Sequence, residues 1–175
     1  MDYTKCLNSI QSNLAANQCQ VKNNVALNDR FRADIVAERV YLSNGLVIQI
    51  TFVTKFNNAQ LQDFIAIKQA QLEYLRRTHW FSALRGLGFN YSIVNCVATD
   101  AAHPGLLKAV GNCPLIERGW VELPVVFESK WMQATYFKGK TNISQLADMQ
   151  ALTAACIEGI RPNASTNLLP KAVRV

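Results

Sequence analysis

Apolar residues recur at helical spacing at the start of the chain. Tyr3, Leu7, Ile10 and Leu14 predict an amphipathic helix over residues 3–17. Asn17-Gln-Cys-Gln20 and Asn23-Asn24 then read as a polar loop. The period shortens to two in Ala33–Leu42 and again in Leu46–Thr54, the two runs joined by Ser43-Asn44-Gly45. Asn-Gly tolerates the positive φ angles of a tight hairpin turn, so this segment predicts a β-hairpin. On its second strand Leu46, Ile48, Ile50 and Phe52 share the core face, and Val47, Gln49, Thr51 and Val53 take a partly covered one. Helical spacing returns over residues 58–82, with Leu61, Phe64, Ile65, Leu72 and Leu75 as the inward stripe and Gln62, Lys68, Gln69 and Arg76 outward. Trp80 and Phe81 finish that helix, and Gly86 and Gly88 stop it.

Further on, Phe89–Val97 predicts a strand, and Pro104 opens a short helix over 104–110, since a first-turn residue needs no N–H. Gly119–Glu128 and Trp131–Phe137 predict a second hairpin, with Pro124 marking an edge or a bulge. A last helix over 143–159 turns Leu146, Met149, Leu152, Cys156 and Ile160 inward. The order α-ββ-α-β-(α)-ββ-α predicts an α+β fold: a mostly antiparallel sheet of about five strands with helices packed on it. Residues 1–160 form one domain, and 161–175, with two prolines and no periodicity, form a tail. This order of elements resembles that of profilin-like and roadblock-type domains, which are scaffolds and adaptors. The resemblance is one of topology alone, with no sequence motif behind it.

Composition narrows the class. A chain of 175 residues that is 50% hydrophobic and 17% charged is neither disordered nor fibrous. Its longest nearly apolar stretch, Gly45–Val53, is too short to cross a bilayer and carries Gln49 and Thr51. The formal net charge of +6 invites a nucleic-acid partner. Yet the excess is spread along the chain, and the densest cluster, Arg76-Arg77-Thr78-His79 with Arg85 beyond, sits at a helix end, where cations complement the dipole. Nucleic acid is thus an unfavoured partner. Binding of nucleic acid or anionic lipid through Arg76, Arg77 and Arg85 remains a third functional reading.

The five cysteines, at positions 6, 19, 96, 113 and 156, show no metal-binding spacing, and the two histidines add no ligand pair. Neither a metal nor a cofactor is expected. Low charge and the spacing of Cys96 and Cys113 suit an oxidising compartment, so a Cys96–Cys113 disulfide is the first expectation. Cys6–Cys19 is second, and only if the first helix ends early, because a continuous helix would hold the two about 20 Å apart. Met1-Asp-Tyr-Thr-Lys5 has neither the basic nor the apolar region of a signal peptide, so a periplasmic or secreted location requires a leader removed ahead of it. A cytoplasmic location is the alternative.

One local constellation could do nucleophilic chemistry: Cys96 with Asp100 and His103, a thiol, an orienting acid and a base at a strand end. No nucleophile motif surrounds Cys96, and no phosphate-binding glycine loop exists. Glu122 and Glu128 would stand about 20 Å apart on one strand, too far for a glycosidase pair. The aromatics offer a different chemistry. Trp120, Trp131 and Tyr136, with Arg76 and Arg77, are the residue types that dominate protein interfaces, and Pro124 would mark an open strand edge for β-augmentation. The leading expectation is a non-enzymatic interaction or assembly domain, an exported subunit of a bacterial envelope or secretion complex, with protein partners or copies of itself. A small thiol-dependent hydrolase or transferase using Cys96 and His103 is the alternative.

Overall fold

The computed structural model describes residues 3–43, 45–79, 89–112, 114–117 and 119–157. The expected ends of the second helix at Trp80 and Phe81, the glycines beyond it, Arg85, Asn44, Cys113 and the tail lie outside the described residues.

The elements run α1 (Tyr3–Ala16), β1 (Gln20–Ala26), β2 (Arg32–Leu42), β3 (Leu46–Ala59), α2 (Leu61–Thr78), β4 (Phe89–Ala102), α3 (Pro104–Asn112), β5 (Leu115–Glu117), β6 (Trp120–Glu128), β7 (Gln133–Tyr136) and α4 (Ser144–Ile157). The fold is α+β, with one open mixed sheet of seven strands in the order β1-β2-β3-β4-β6-β5, β7 also pairing with β6. Helices α1 and α4 pack on one face and α2 and α3 on the other.

The expected hairpin is β2–β3, running from Leu42 opposite Leu46 to Ile35 opposite Val53. Its outer neighbour β1 occupies the segment expected as a polar loop. An edge strand needs only Val21 and Val25 as inward anchors, and the other positions can stay polar, so no period-two signal survives there. The sheet is less purely antiparallel than the pattern suggested. Four pairings are antiparallel, but the two central ones, β3–β4 and β4–β6, are parallel. Each parallel step spends a helix on the crossover, α2 for the first and α3 for the second. With helices on both faces, Val47 to Thr54 of β3 are all buried, where one face had been expected to be only partly covered.

Pro124 resolves neatly. β5 pairs with Trp120–Glu122, and β7 pairs with Val125–Glu128 on the same side of β6. Pro124 falls in the gap between them, where a missing N–H breaks no outer ladder bond. It therefore marks an interruption of two residues between strands, too short to receive an added strand. Gly119 at φ 69° makes the tight return from β5 into β6.

At its C-terminus α1 closes with a Schellman arrangement: Cys19 N–H donates to Leu14 O, Gln18 N–H to Ala15 O, and Gln18 takes the left-handed conformation at φ 63°. The helix thus runs unbroken through Asn13, against the early end that a Cys6–Cys19 bridge required. Among the described residues, no helix is long and apolar enough to cross a membrane.

Candidate functional site

The thiol constellation does not assemble. Cys96 lies mid-strand in β4 at 0% exposure, facing α1 and α4, and burial pushes its thiol up to about 12. Asp100, four residues on, is exposed and accepts the Ser129 hydroxyl at 2.6 Å. His103 stands at the head of α3, which packs on the opposite face, and its Nδ1 accepts the Gly105 N–H at 3.1 Å. A nucleophile needs an accessible thiolate beside its base, and Cys96 is neither exposed nor near one.

The disulfide expectations change with it. Cys6, Cys19, Cys96 and Cys156 are free thiols, all buried. Cys96 points toward α1 and α4, and Cys113 lies outside the described residues. Cys6 meets the Met132 sulfur at 3.8 Å instead of Cys19. Among the described residues no cluster of His, Cys, Asp and Glu could hold a metal ion.

Of the expected interface residues, Trp120 and Tyr136 are core. Trp120 is 5% exposed and stacks near Tyr91 at 5.9 Å between ring centroids, and Tyr136 is 7% exposed under α4. Their place on central β6 and its neighbour β7 explains the burial. Trp131 is different: it projects from the β6–β7 turn at 64% exposure, with Lys130 Nζ 4.8 Å above its ring. Arg76 and Arg77 border an open depression with Asn28, Asp29 and Glu73. Arg77 donates to Leu27 O, and Asn28 donates to Glu73 at 2.9 Å. Acids alternate with the arginines, which is a poor surface for a polyanion.

The most informative departure is on α2. Leu61 and Ile65, expected inside, stand 47% and 50% exposed, whereas Lys68 and Gln71 reach inward. The buried stripe is Phe64, Ile67, Gln71, Tyr74 and Leu75. Counting by three and four from Phe64 reaches Ile67, Lys68 and Gln71, so the phase was present in the spacing, but two polar types at core positions concealed it. Gln71 Nε2 donates to Asn95 Oδ1 at 2.9 Å, with both side chains buried. Lys68 Nζ approaches Glu122 Oε2 at 2.7 Å. A helix that leaves Leu61 and Ile65 half in water while burying Gln71 and most of Lys68 forgoes part of the roughly 1.5–3 kcal/mol that full burial of each apolar side chain would give. Sheet edges offer less. β1 is kinked at Asn24 (φ 52°), and Arg32 Nη2 binds the Asn24 carbonyl at 2.6 Å. β5 and β7 hold only three and four residues. Both edges are blunted against strand addition.

No protein-family model, curated protein or solved structure matches this chain. The resemblance in element order to profilin-like and roadblock-type domains therefore carries nothing beyond the outline.

Proposed function

We propose that the protein is a non-enzymatic interaction domain that docks a protein partner through the outer face of α2. The observation that carries this reading is the pair Leu61 and Ile65, one helical turn apart and each about half exposed. Two further features support it. The thiol constellation is dispersed, and the blunted edges favour a helix face over β-augmentation as the contact mode. Trp131, exposed on another part of the surface, offers a second aromatic anchor. Among the described residues Cys96 is a free, buried thiol, and the interaction reading does not rest on a Cys96–Cys113 bridge.

The test is site-specific photocrosslinking of the intact chain in its native cell. A photoreactive residue at Ile65 should give one discrete adduct, and the same residue at Glu73 on the same helix should not. Adducts of equal yield from both positions, or none from Ile65, would reject the proposal.

A further inference from the structure

On the sheet face opposite α2, three adjacent strands align Arg39, Gln49 and Ser92 in one row: Arg39 pairs with Gln49, and Gln49 with Ser92. Tyr41 and Thr51 flank it, two residues away along β2 and β3. Arg39 Nε donates to Gln49 Oε1 at 2.9 Å, and its guanidinium lies 5.1 Å over the Tyr41 ring. That bond fixes the amide and leaves Gln49 Nε2 buried with no acceptor. The hydroxyls of Ser92, Thr51 and Tyr41 are likewise buried and unpartnered. Gln49, Thr51 and Ser92 are 1%, 4% and 0% exposed. Ser92 and Asp148 of α4 both face the Tyr41 hydroxyl without reaching full hydrogen-bond geometry, and the charge of Arg39 is also felt by Cys19 and Cys156. Among the described residues no carboxylate comes within ion-pair distance of Arg39.

The unmet groups can all donate: an amide NH2, three hydroxyls that can also accept, and a guanidinium without an anion, with Gln49 Oε1 already taken and the Asp148 carboxylate at the Tyr41 end of the row. Ser43 Oγ sits 3.3 Å from Ser144 Oγ, which brings the positive end of α4 to the same end of the sheet. Thr51 also lines a narrow void with Thr153, Val53 and Leu152 that has room for about one water molecule. Buried donors left unpaired are costly, and a guanidinium among them selects a negatively charged acceptor over water.

We propose that this row binds a small oxyanion, the carboxylate or phosphate group of a ligand, with Arg39 as the charged contact and Gln49, Ser92 and Tyr41 as hydrogen-bond donors. This site lies on the face opposite the docking helix and does not depend on it.

The full chain would be titrated with sodium phosphate and, separately, sodium acetate, each against sodium chloride at matched ionic strength, following thermal unfolding and the Gln49 side-chain amide signal in ¹⁵N NMR. The expected result is a saturable rise in Tm with one of the two anions, accompanied by a shift of that amide signal. Response to phosphate alone identifies a tetrahedral group, and response to acetate alone a planar one. Arg39→Met should weaken the apparent affinity on the order of tenfold or more, and Arg76→Met, outside the row, should leave it unchanged. Should Arg39→Met not fold, Ser92→Ala serves as the second variant and should weaken binding severalfold. Titration of Arg39→Met or Ser92→Ala indistinguishable from wild type would show an adventitious ion only, and the proposal would fall. It would fall equally if neither anion gave a saturable response and a high-resolution structure placed only water in the row.

Discussion

Lys68 and Glu122 meet beneath α2 at 2.7 Å, the lysine side chain 32% exposed and the carboxylate only 2%. Trp120, Leu72, Leu75 and Ile93 surround them, so the carboxylate has little water to turn to. The pair joins the helix to β6, two strands removed from the β2–β3 hairpin. Breaking a buried pair from one side strands a charge, whereas replacing both partners removes the problem.

Lys68→Met should accordingly destabilise the protein by about 2–4 kcal/mol, because Glu122 is left buried and unpaired. The double variant Lys68→Met/Glu122→Leu should recover most of that loss. Urea unfolding of the single and double variants measures both. A single variant as stable as wild type would show that the pair is held by packing alone.

The buried thiols make a prediction about alkaline pH. Burial pushes Cys96 and Cys156 each up to about 12 from an ordinary value near 9. The folded state thus holds these protons more tightly than the unfolded chain does. Their contribution is fully present below pH 9 and is lost as pH rises from 9 toward 12. The urea midpoint should fall through that window, and Cys96→Ala should flatten the fall. Iodoacetamide at pH 8 should leave Cys96 unlabelled until the protein unfolds, and rapid labelling of native Cys96 would contradict its burial.

Glu38 governs part of the acid side. His79, 3.5 Å away, holds the Glu38 carboxyl below its usual range, partial burial opposes this, and Lys22 at 3.7 Å adds to it. A depressed carboxyl stabilises the fold above its unfolded pKa of about 4.5, and that stabilisation disappears as pH falls through its folded value. Glu38→Gln should remove on the order of 1 kcal/mol at neutral pH and make the acid limb shallower. Chemical denaturation at pH 7 and pH 3 distinguishes the two conditions, and an equal loss at both would contradict the assignment.

The two faces of α2 should respond oppositely to substitution. Ile67→Ala empties a fully buried site and should cost about 2–5 kcal/mol. Leu61→Glu and Ile65→Glu change exposed positions and should stay within about 0.5 kcal/mol of wild type. Any loss of partner contact in the Glu variants would then reflect the surface itself. Stability and crosslinking measured on the same preparations separate the effects.

How far the sequence disclosed this fold depended on how directly burial follows residue type. The β2–β3 hairpin was legible because alternation, β-branched residues and Asn44-Gly45 agreed. Helix α4 was legible too, with Leu146, Met149, Leu152 and Cys156 all buried as their spacing implied. β1 escaped because Lys22, Asn23 and Asn24 on an edge strand look like a loop. The parallel centre escaped because pairing direction is set by distant crossovers, not by local period. Trp120 and Tyr136 looked like interface anchors, and only their place beside the middle of the sheet shows that they fill the core. The row of Arg39, Gln49 and Ser92 crosses three strands and could not be seen before those strands were in register.

The parallel centre of the sheet also bears on how fast the chain reaches its native state. Residues of β2 and β3 meet across a short turn, but Leu46 must find Phe89 and Tyr91 must find Trp120, each across an intervening helix. Closing such loops uses up chain entropy before any central contact forms, so refolding should be slow, on the milliseconds-to-seconds scale of topologies rich in distant contacts. Until then the buried faces of β3 and β4, apolar along most of their length, stand open on a newly made chain. High concentration or heat during synthesis should therefore cost yield through aggregation well before it threatens the finished fold.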